Sequence, residues 1–127
     1  MTFFDWGEYL ALAKELVGTP PATSACCRSA TSRAYYSAFH KARRYLSNVK
    51  NERIPDDGTA HEVVWSKLER SAKKDERGVG TKGTRLRRQR NKADYDAKEP
   101  VSRVHEAQSA ITTAERITNM LDRLTPS

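Results

Sequence analysis

Cysteine is scarce in this chain of 127 residues, and its two cysteines, Cys26 and Cys27, are adjacent. Two neighbouring cysteines with no third one to pair with exclude a disulfide scaffold, and they are too few for a cysteine-based zinc site. His61 and His105 are isolated and lack the spacing of metal ligands. We therefore expect no metal site and no cofactor.

Long apolar runs are also absent, and none approaches the ~20 residues that are needed to cross a bilayer. The N-terminal segment carries an acidic residue, Asp5, and no basic region, which argues against a signal peptide. At this length one domain is the ordinary outcome. These features predict a cytoplasmic protein without a membrane contact and with a single domain over residues 1–127.

Alternation of apolar and polar residues, the pattern of a half-buried strand, does not occur, and no internal repeat is present. Apolar residues recur instead at helical spacing. The helices that this spacing predicts cover residues 3–17, 23–49, 59–72, 85–93 and 100–124. Thr23 or Ser24 is expected to cap the second helix, and Pro100 to lie in the first turn of the fifth. The packing seam of the fifth helix is predicted from residues three or four positions apart, which are Val104, Ala107, Ile111, Ala114, Thr118 and Leu121. The predicted fold class is all-α, an antiparallel bundle of four to five helices.

The third and fourth helices are predicted from their end signals. Thr59 is expected to begin the third helix, with Glu62 completing a capping box. Segment 73–84 holds three glycines among charged residues and predicts a mobile loop, after which Thr81 or Thr84 would cap the next helix. Because that helix has almost no apolar residues, we expect it to be mostly exposed or to lie against a partner.

Positive charge is concentrated in one span of the chain. Residues 67–98 hold twelve basic and five acidic residues, and this span accounts for the whole net charge of +7. Such a patch attracts polyanions, although it could also be a solvated face that only keeps the protein soluble. The partner could be RNA, DNA, a nucleotide or an acidic protein. The candidate phosphate-binding residues are Arg85, Arg87, Arg88, Lys92 and, in the second helix, Arg44.

One group of candidate site residues lies in the second helix at spacings of 4, 3 and 4, namely Arg33, Ser37, His40 and Arg44. This spacing places them on a single polar strip beside the apolar face. An arginine beside a neutral imidazole can hold a phosphate while the histidine moves a proton. The alternative interpretation is that His40 flanks the core and is inert.

A second group lies in residues 86–95, with the sequence LRRQRNKADY. Arg87, Arg90 and Asp94 fall at helical spacings of 3 and 4. Arg87 could pair with Asp94, or both arginines could face solvent and bind phosphate. Tyr95 could stack on a base or anchor the end of the helix in the core.

Residues 32–42 (SRAYYSAFHKA) together with 86–95 resemble the HEPN domain family, in particular small prokaryotic members often encoded beside a minimal nucleotidyltransferase. The resemblance spans residues 4–124. It implies an all-α bundle that dimerises, and often a metal-independent ribonuclease that acts as a toxin or in phage defence. In catalytic members an Arg, usually followed by a polar residue, precedes a His with four to six residues between the two. Two copies of that motif meet in a cleft, where the His transfers protons and the Arg stabilises charge at phosphorus.

Arg90 and Asn91 match the start of that motif, whereas Tyr95 stands where the catalytic His would be. A phenol with a pKa near 10 is a poorer proton shuttle at neutral pH than an imidazole. The site is therefore relocated, or composite (Arg90 and Tyr95 with Arg33 and His40), or inactive, and whether the chain is an enzyme stays open at this point.

Three functions follow from these patterns. The first is a HEPN-type RNA endonuclease, and the second is a non-catalytic HEPN subunit that binds nucleic acid or a nucleotide and partners a nucleotidyltransferase antitoxin. The third is a small helical dimer with a solubilising basic surface. A homodimer is expected because the fourth helix is too polar to be stable alone. The residues assigned to catalysis are Arg33, His40, Arg90 and Tyr95, and those assigned to positioning are Tyr36, Ser37, Asn91 and Asp94.

Overall fold

The structure, a computed structural model, describes residues 2–100 and 102–127. Within these residues the chain forms α-helices and no strand, which confirms the all-α fold class. The helices are α1 (Gly7–Gly18), α2 (Ser24–Asn48), α3 (Ala60–Glu69), α4 (Lys74–Tyr95) and α5 (Arg103–Leu124). Among the residues described, no helix combines the length and the apolar character that crossing a membrane requires.

The central element of the bundle is α2, which packs against α1, α4 and α5, while α3 packs mainly on α4. The predicted cap of α2 is confirmed, because the Thr23 side-chain oxygen accepts a hydrogen bond of 3.1 Å from the Cys26 backbone N–H. Four alanines one turn apart are fully buried and let the neighbouring helices approach α2 closely. These are Ala30, Ala34, Ala38 and Ala42.

The apolar seam predicted for the last helix is present in α5. Its buried residues are Ala107, Ala110, Ile111, Ala114, Ile117 and Leu121. The predicted start is wrong, because α5 begins at Arg103 and Pro100 precedes the helix instead of occupying its first turn. Val101, which the prediction included, lies outside the described residues.

The mobile loop predicted over 73–84 is wrong, because this segment is the first half of α4. Two of its glycines lie where α4 crosses α3. A Cβ atom on Gly80 would come within 2.5 Å of the Glu69 backbone nitrogen, and one on Gly83 would collide with the Trp65 ring. Since no described glycine has a positive φ, these two glycines allow close helix contact and do not form a turn.

The expected exposure of the fourth helix is also wrong. Helix α4 begins at Lys74, so neither Thr81 nor Thr84 caps it, and it buries Val79 and Leu86 against its neighbours. Its buried residues also include two charged ones, Glu76 and Arg90. Although its sequence is polar, α4 packs against its neighbours through a few apolar side chains, two glycines and two buried charged residues.

Glu76 is only 1% exposed and ties α4 to α2. Its carboxylate accepts hydrogen bonds of 2.5 Å from the hydroxyls of Tyr45 and Ser71, and Lys50 Nζ lies 3.4 Å away. Burial raises the pKa of Glu76, but these hydrogen bonds and the Lys50 cation outweigh burial and hold the pKa below its ordinary value. A buried carboxylate satisfied in this way stays ionised and orients the first turn of α4.

The capping box predicted at α3 does not form. The Thr59 hydroxyl donates to the Asp57 carboxylate, and the Thr59 backbone N–H donates to the same carboxylate at 2.8 Å, so the Thr59 side-chain oxygen does not cap the helix. A turn closed by the Asp57 side chain thus leads into α3, which begins at Ala60.

Candidate functional site

The side chain of Arg90 extends from α4 across two tyrosine rings of α2. Its Cζ lies 5.1 Å from the ring centre of Tyr35 and 5.4 Å from that of Tyr36, and the residue is 7% exposed. Cation–π contacts of this kind hold a guanidinium against the rings. The Asp94 carboxylate lies 3.6 Å from Arg90 Nη1 one turn further along α4, so Asp94 pairs with Arg90 and not with Arg87.

Tyr36 joins the two groups of residues that the sequence singles out. Its ring centre lies 6.2 Å from that of His40, and the Arg90 guanidinium lies on the same ring at 5.4 Å. Two segments about fifty residues apart in the sequence therefore meet at Tyr36. Arg33 does not join them by any described contact, because its guanidinium packs on the Tyr9 ring of α1 at 4.9 Å.

His40 stacks on Trp6, with ring centres 3.5 Å apart and an interplanar angle of 10°. Burial, followed by the Arg43 cation and by His61, lowers the pKa of His40 to about 4, so its imidazole is neutral at pH 7. His40 lines a cavity of about 380 Å³ between α1, α2 and α5, together with Ser37 and Arg44. A neutral imidazole on the wall of a cavity is able to accept a proton from a bound hydroxyl.

His61, in the first turn of α3, belongs to the same cluster, although the sequence analysis assigned it no role in the site. Its Nδ1 lies 2.6 Å from the Tyr35 hydroxyl oxygen, and its ring stacks on Phe39 with centres 4.2 Å apart. The Tyr36 ring centre is 6.0 Å from that of His61. No local spacing connects His61 to these residues, because the contacts form between α3 and α2.

The positive charges of the α4 arginines act on His61. Burial, followed by the positive charges of Arg90, Arg87 and Arg43, lowers the pKa of His61 to about 4. Burial also raises the pKa of Tyr35 to about 12, so its phenol stays protonated. The Nε atoms of Arg87 and Arg90 are buried and have no hydrogen-bond partner within residues 2–100 and 102–127. The cluster is therefore rich in donors and positive charge, which suits an anionic ligand.

The remaining basic residues of α4 lie on its outer side. We call basic face the exposed residues Lys74, Arg77, Arg85, Arg88 and Lys92. None of them forms an ion pair with another of the residues that the structure describes. The face is an extended row of cations that is separate from the cluster around Tyr36.

Tyr95 and Asn91 lie at the exposed end of α4, and Tyr95 is 79% exposed. Tyr95 lies five positions after Arg90, and this turns its side chain by about 140° around the helix axis from that of Arg90. The composite site expected from Arg33, His40, Arg90 and Tyr95 therefore comes together only in part. Arg90 and His40 both contact Tyr36, whereas Tyr95 points away from the cluster.

In the part of the chain that the structure describes, no group of three His, Cys, Asp or Glu side chains is placed to hold a metal ion. A comparison of the chain with models of known families, with curated proteins and with solved structures found no match. The fold and the site define an all-helical bundle in which one arginine and two neutral histidines surround a buried tyrosine and a half-buried one.

Proposed function

We propose that the protein is a metal-independent RNA endonuclease of the HEPN type that acts as a toxin or in phage defence. The observation that carries the proposal is that Arg90 and the neutral imidazoles of His40 and His61 all contact Tyr36, with the positive charge of Arg87 also acting on His61. Guanidinium groups bind backbone phosphates, and an unprotonated imidazole accepts a proton at neutral pH. The resemblance to HEPN domains supplies the reaction class, and the cluster holds the residue types that this reaction needs.

Cleavage in this proposal is an internal transfer at phosphorus. His40 takes the proton of the ribose 2′-hydroxyl, the 2′-oxygen forms a bond to phosphorus, and the bond from phosphorus to the 5′-oxygen breaks. The leaving oxygen takes a proton from water, and His40 returns its proton to solvent. The products are a 2′,3′-cyclic phosphate and a 5′-hydroxyl. Arg87 and Arg90 offset the negative charge that develops on the phosphate, while Asp94 orients Arg90.

The test is incubation of purified protein with total RNA in the presence of a chelator. We expect cleavage by the wild type and a loss of about 100-fold or more in His40→Ala and Arg90→Ala, because each removes a group that acts on the reacting phosphate or hydroxyl. His105→Ala is the matched control, because His105 is exposed on α5 and away from the cluster. Circular dichroism of each variant verifies folding, and Arg90→Lys keeps the buried charge if Arg90→Ala unfolds. Undiminished cleavage in both His40→Ala and Arg90→Ala would remove the site assignment.

The second candidate is a non-catalytic subunit that binds nucleic acid or a nucleotide and partners a nucleotidyltransferase. The exposure of Tyr95 at the end of the basic face favours it, because an accessible aromatic ring beside a row of cations suits base stacking and phosphate binding without chemistry. In that case RNA binds with strong salt dependence and stays intact, and expression in cells does not arrest growth. Absence of any polyanion binding would leave a helical protein whose basic face is only solubilising.

Dimerisation belongs to the proposal because the resemblance implies a cleft between two copies. The polarity of α4 no longer argues for it, since α4 packs against α2, α3 and α5 of its own chain. We expect light scattering at micromolar concentration to give twice the mass of the 14.4 kDa chain. A monomeric mass together with RNA cleavage would mean that the cluster around Tyr36 acts within one chain.

A further inference from the structure

The Tyr35 hydroxyl lies at the centre of two consecutive hydrogen bonds. Trp65 Nε1 lies 3.1 Å from the Tyr35 oxygen, and His61 Nδ1 lies 2.6 Å from it on the other side. An indole N–H donates and never accepts, so the Tyr35 oxygen is the acceptor of the first bond. Tyr35 is fully buried, whereas His61 is partly exposed.

The direction of the second bond follows from the single proton of the phenol. Within residues 2–100 and 102–127 no other acceptor lies within hydrogen-bond distance of the Tyr35 oxygen, so its proton goes to His61 Nδ1. A neutral imidazole carries one proton, and when Nδ1 accepts, that proton is on Nε2. The low pKa of His61 agrees with a neutral ring.

The Nε2 edge of His61 is open. No described residue forms a hydrogen bond with Nε2, and this atom is accessible to solvent. The Nε atoms of Arg87 and Arg90, in contrast, are buried and have no partner among the described residues. Two buried N–H donors, the Nε groups of Arg87 and Arg90, therefore have no acceptor among the described residues, and the solvent-facing Nε2 of His61 is a third donor without an acceptor from the protein. Donors left without an acceptor cost free energy, and an anion with several oxygens would satisfy them.

We propose that His61, held by Tyr35 in the tautomer with its proton on Nε2, donates a hydrogen bond to a phosphate oxygen bound beside Arg87 and Arg90. The identity of the ligand as a phosphodiester rests on the proposed function, whereas the tautomer does not. In this state His61 contributes a neutral donor and cannot serve as the base. That role is left to His40.

The tautomer is tested by ¹⁵N NMR of the histidine side chains at neutral pH. We expect the His61 Nε2 resonance of a protonated nitrogen and the Nδ1 resonance of an unprotonated nitrogen that accepts a hydrogen bond. Tyr35→Phe keeps the ring but removes the hydroxyl, and it should give a mixture of both tautomers at His61. A proton on Nδ1 in the wild-type protein would overturn the inference, whatever the variants do.

The donor role is tested by the affinity for a single-stranded DNA of about 12 nucleotides, which has no 2′-hydroxyl and is not cleaved. His61→Ala should weaken binding about tenfold, the effect of one hydrogen bond to a charged group. His61→Gln places an amide N–H near the position of Nε2 and should keep most of the affinity, whereas His61→Asn should resemble His61→Ala. The control His105→Ala should bind like the wild type.

Equal affinity of His61→Ala and wild type, or of His61→Gln and His61→Asn, would overturn the donor role. If the protein shows the expected tautomer and the expected loss of DNA affinity but leaves RNA intact, this inference stands and the endonuclease proposal fails. If RNA is cleaved as well by His61→Ala as by the wild type while His40→Ala is inactive, the endonuclease proposal stands and this inference fails.

Discussion

His40 and His61 are partly buried beside cations, and this lowers the pKa of each from 6.5 to about 4. Between pH 4 and pH 6.5 the unfolded chain binds more protons than the folded one, so the free energy of unfolding falls as the pH falls through this interval. The contribution of the two histidines to stability is complete above about pH 6.5. Because both rings are partly exposed, we expect about 1 kcal/mol from each. Urea unfolding at about pH 7.5 and about pH 5 measures the difference.

The control for this prediction is the double variant His40→Gln and His61→Gln, which has no imidazole to titrate in the cluster. It should lose much less stability than the wild type over the same pH interval. Glu76, whose pKa is lowered, adds a loss of the same sign only at more acidic pH. An equal slope in the wild type and the double variant would contradict the neutral state of the two rings.

At the scale of elements, two glycines of α4 have different surroundings. Gly83 faces the Trp65 ring, where a Cβ atom has no room, whereas only Lys82 Nζ, at 4.0 Å, lies near a Cβ atom on Gly78. We expect Gly83→Ala to lower the free energy of unfolding by about 2–3 kcal/mol through overpacking. Gly78→Ala should raise it by up to about 1 kcal/mol, because alanine is the better helix former. Thermal unfolding of the two variants gives both values.

The comparison of these two variants separates packing from helix propensity, since the same substitution is made in the same helix. Stabilisation by Gly83→Ala would mean that α4 does not cross α3 as closely as the structure has it. The mobile loop predicted for 73–84 was wrong for this physical reason: glycines among charged residues are typical of loops, and only the neighbouring helix reveals that two of them make room for a tight crossing.

At the scale of the whole molecule, the net charge of +7 is carried by one span, and its exposed part is the basic face of α4. Each cation that contacts a phosphate adds to the salt dependence of binding. For single-stranded RNA we expect the double variant Arg85→Ala and Arg88→Ala to reduce the slope of log K against log salt by about 1.4. Fluorescence anisotropy over a series of salt concentrations measures this slope.

The matched control is the double variant Arg116→Ala and Arg123→Ala, which removes the same charge from exposed positions of α5. Its slope should equal that of the wild type. Equal losses in both double variants would mean that the overall charge, and not the basic face, attracts the nucleic acid.

The sequence by itself determined the helices whose signals are local. Helical spacing and a Thr cap predicted α2 to within a residue at each end, and the apolar seam of α5 was predicted because each of its residues lies three or four positions from the next. The helical period also predicted that Arg90 and Asp94 lie on one side of α4. The predicted helix ended at residue 93, however, so Tyr95 was wrongly grouped with Arg90, from which it points away.

Only the tertiary structure decided the length of α4 and which residues come together in the candidate site. His61 of α3 contacts Tyr35 of α2, and the loop 49–59 connects these two helices. The residue spacing within either helix does not predict this contact. The meeting of His40 and Arg90 at Tyr36 likewise depends on how α4 lies on α2. Hydrogen bonds and burial between distant segments set the tautomer and the charge of a side chain, and these depend on packing and not on local sequence.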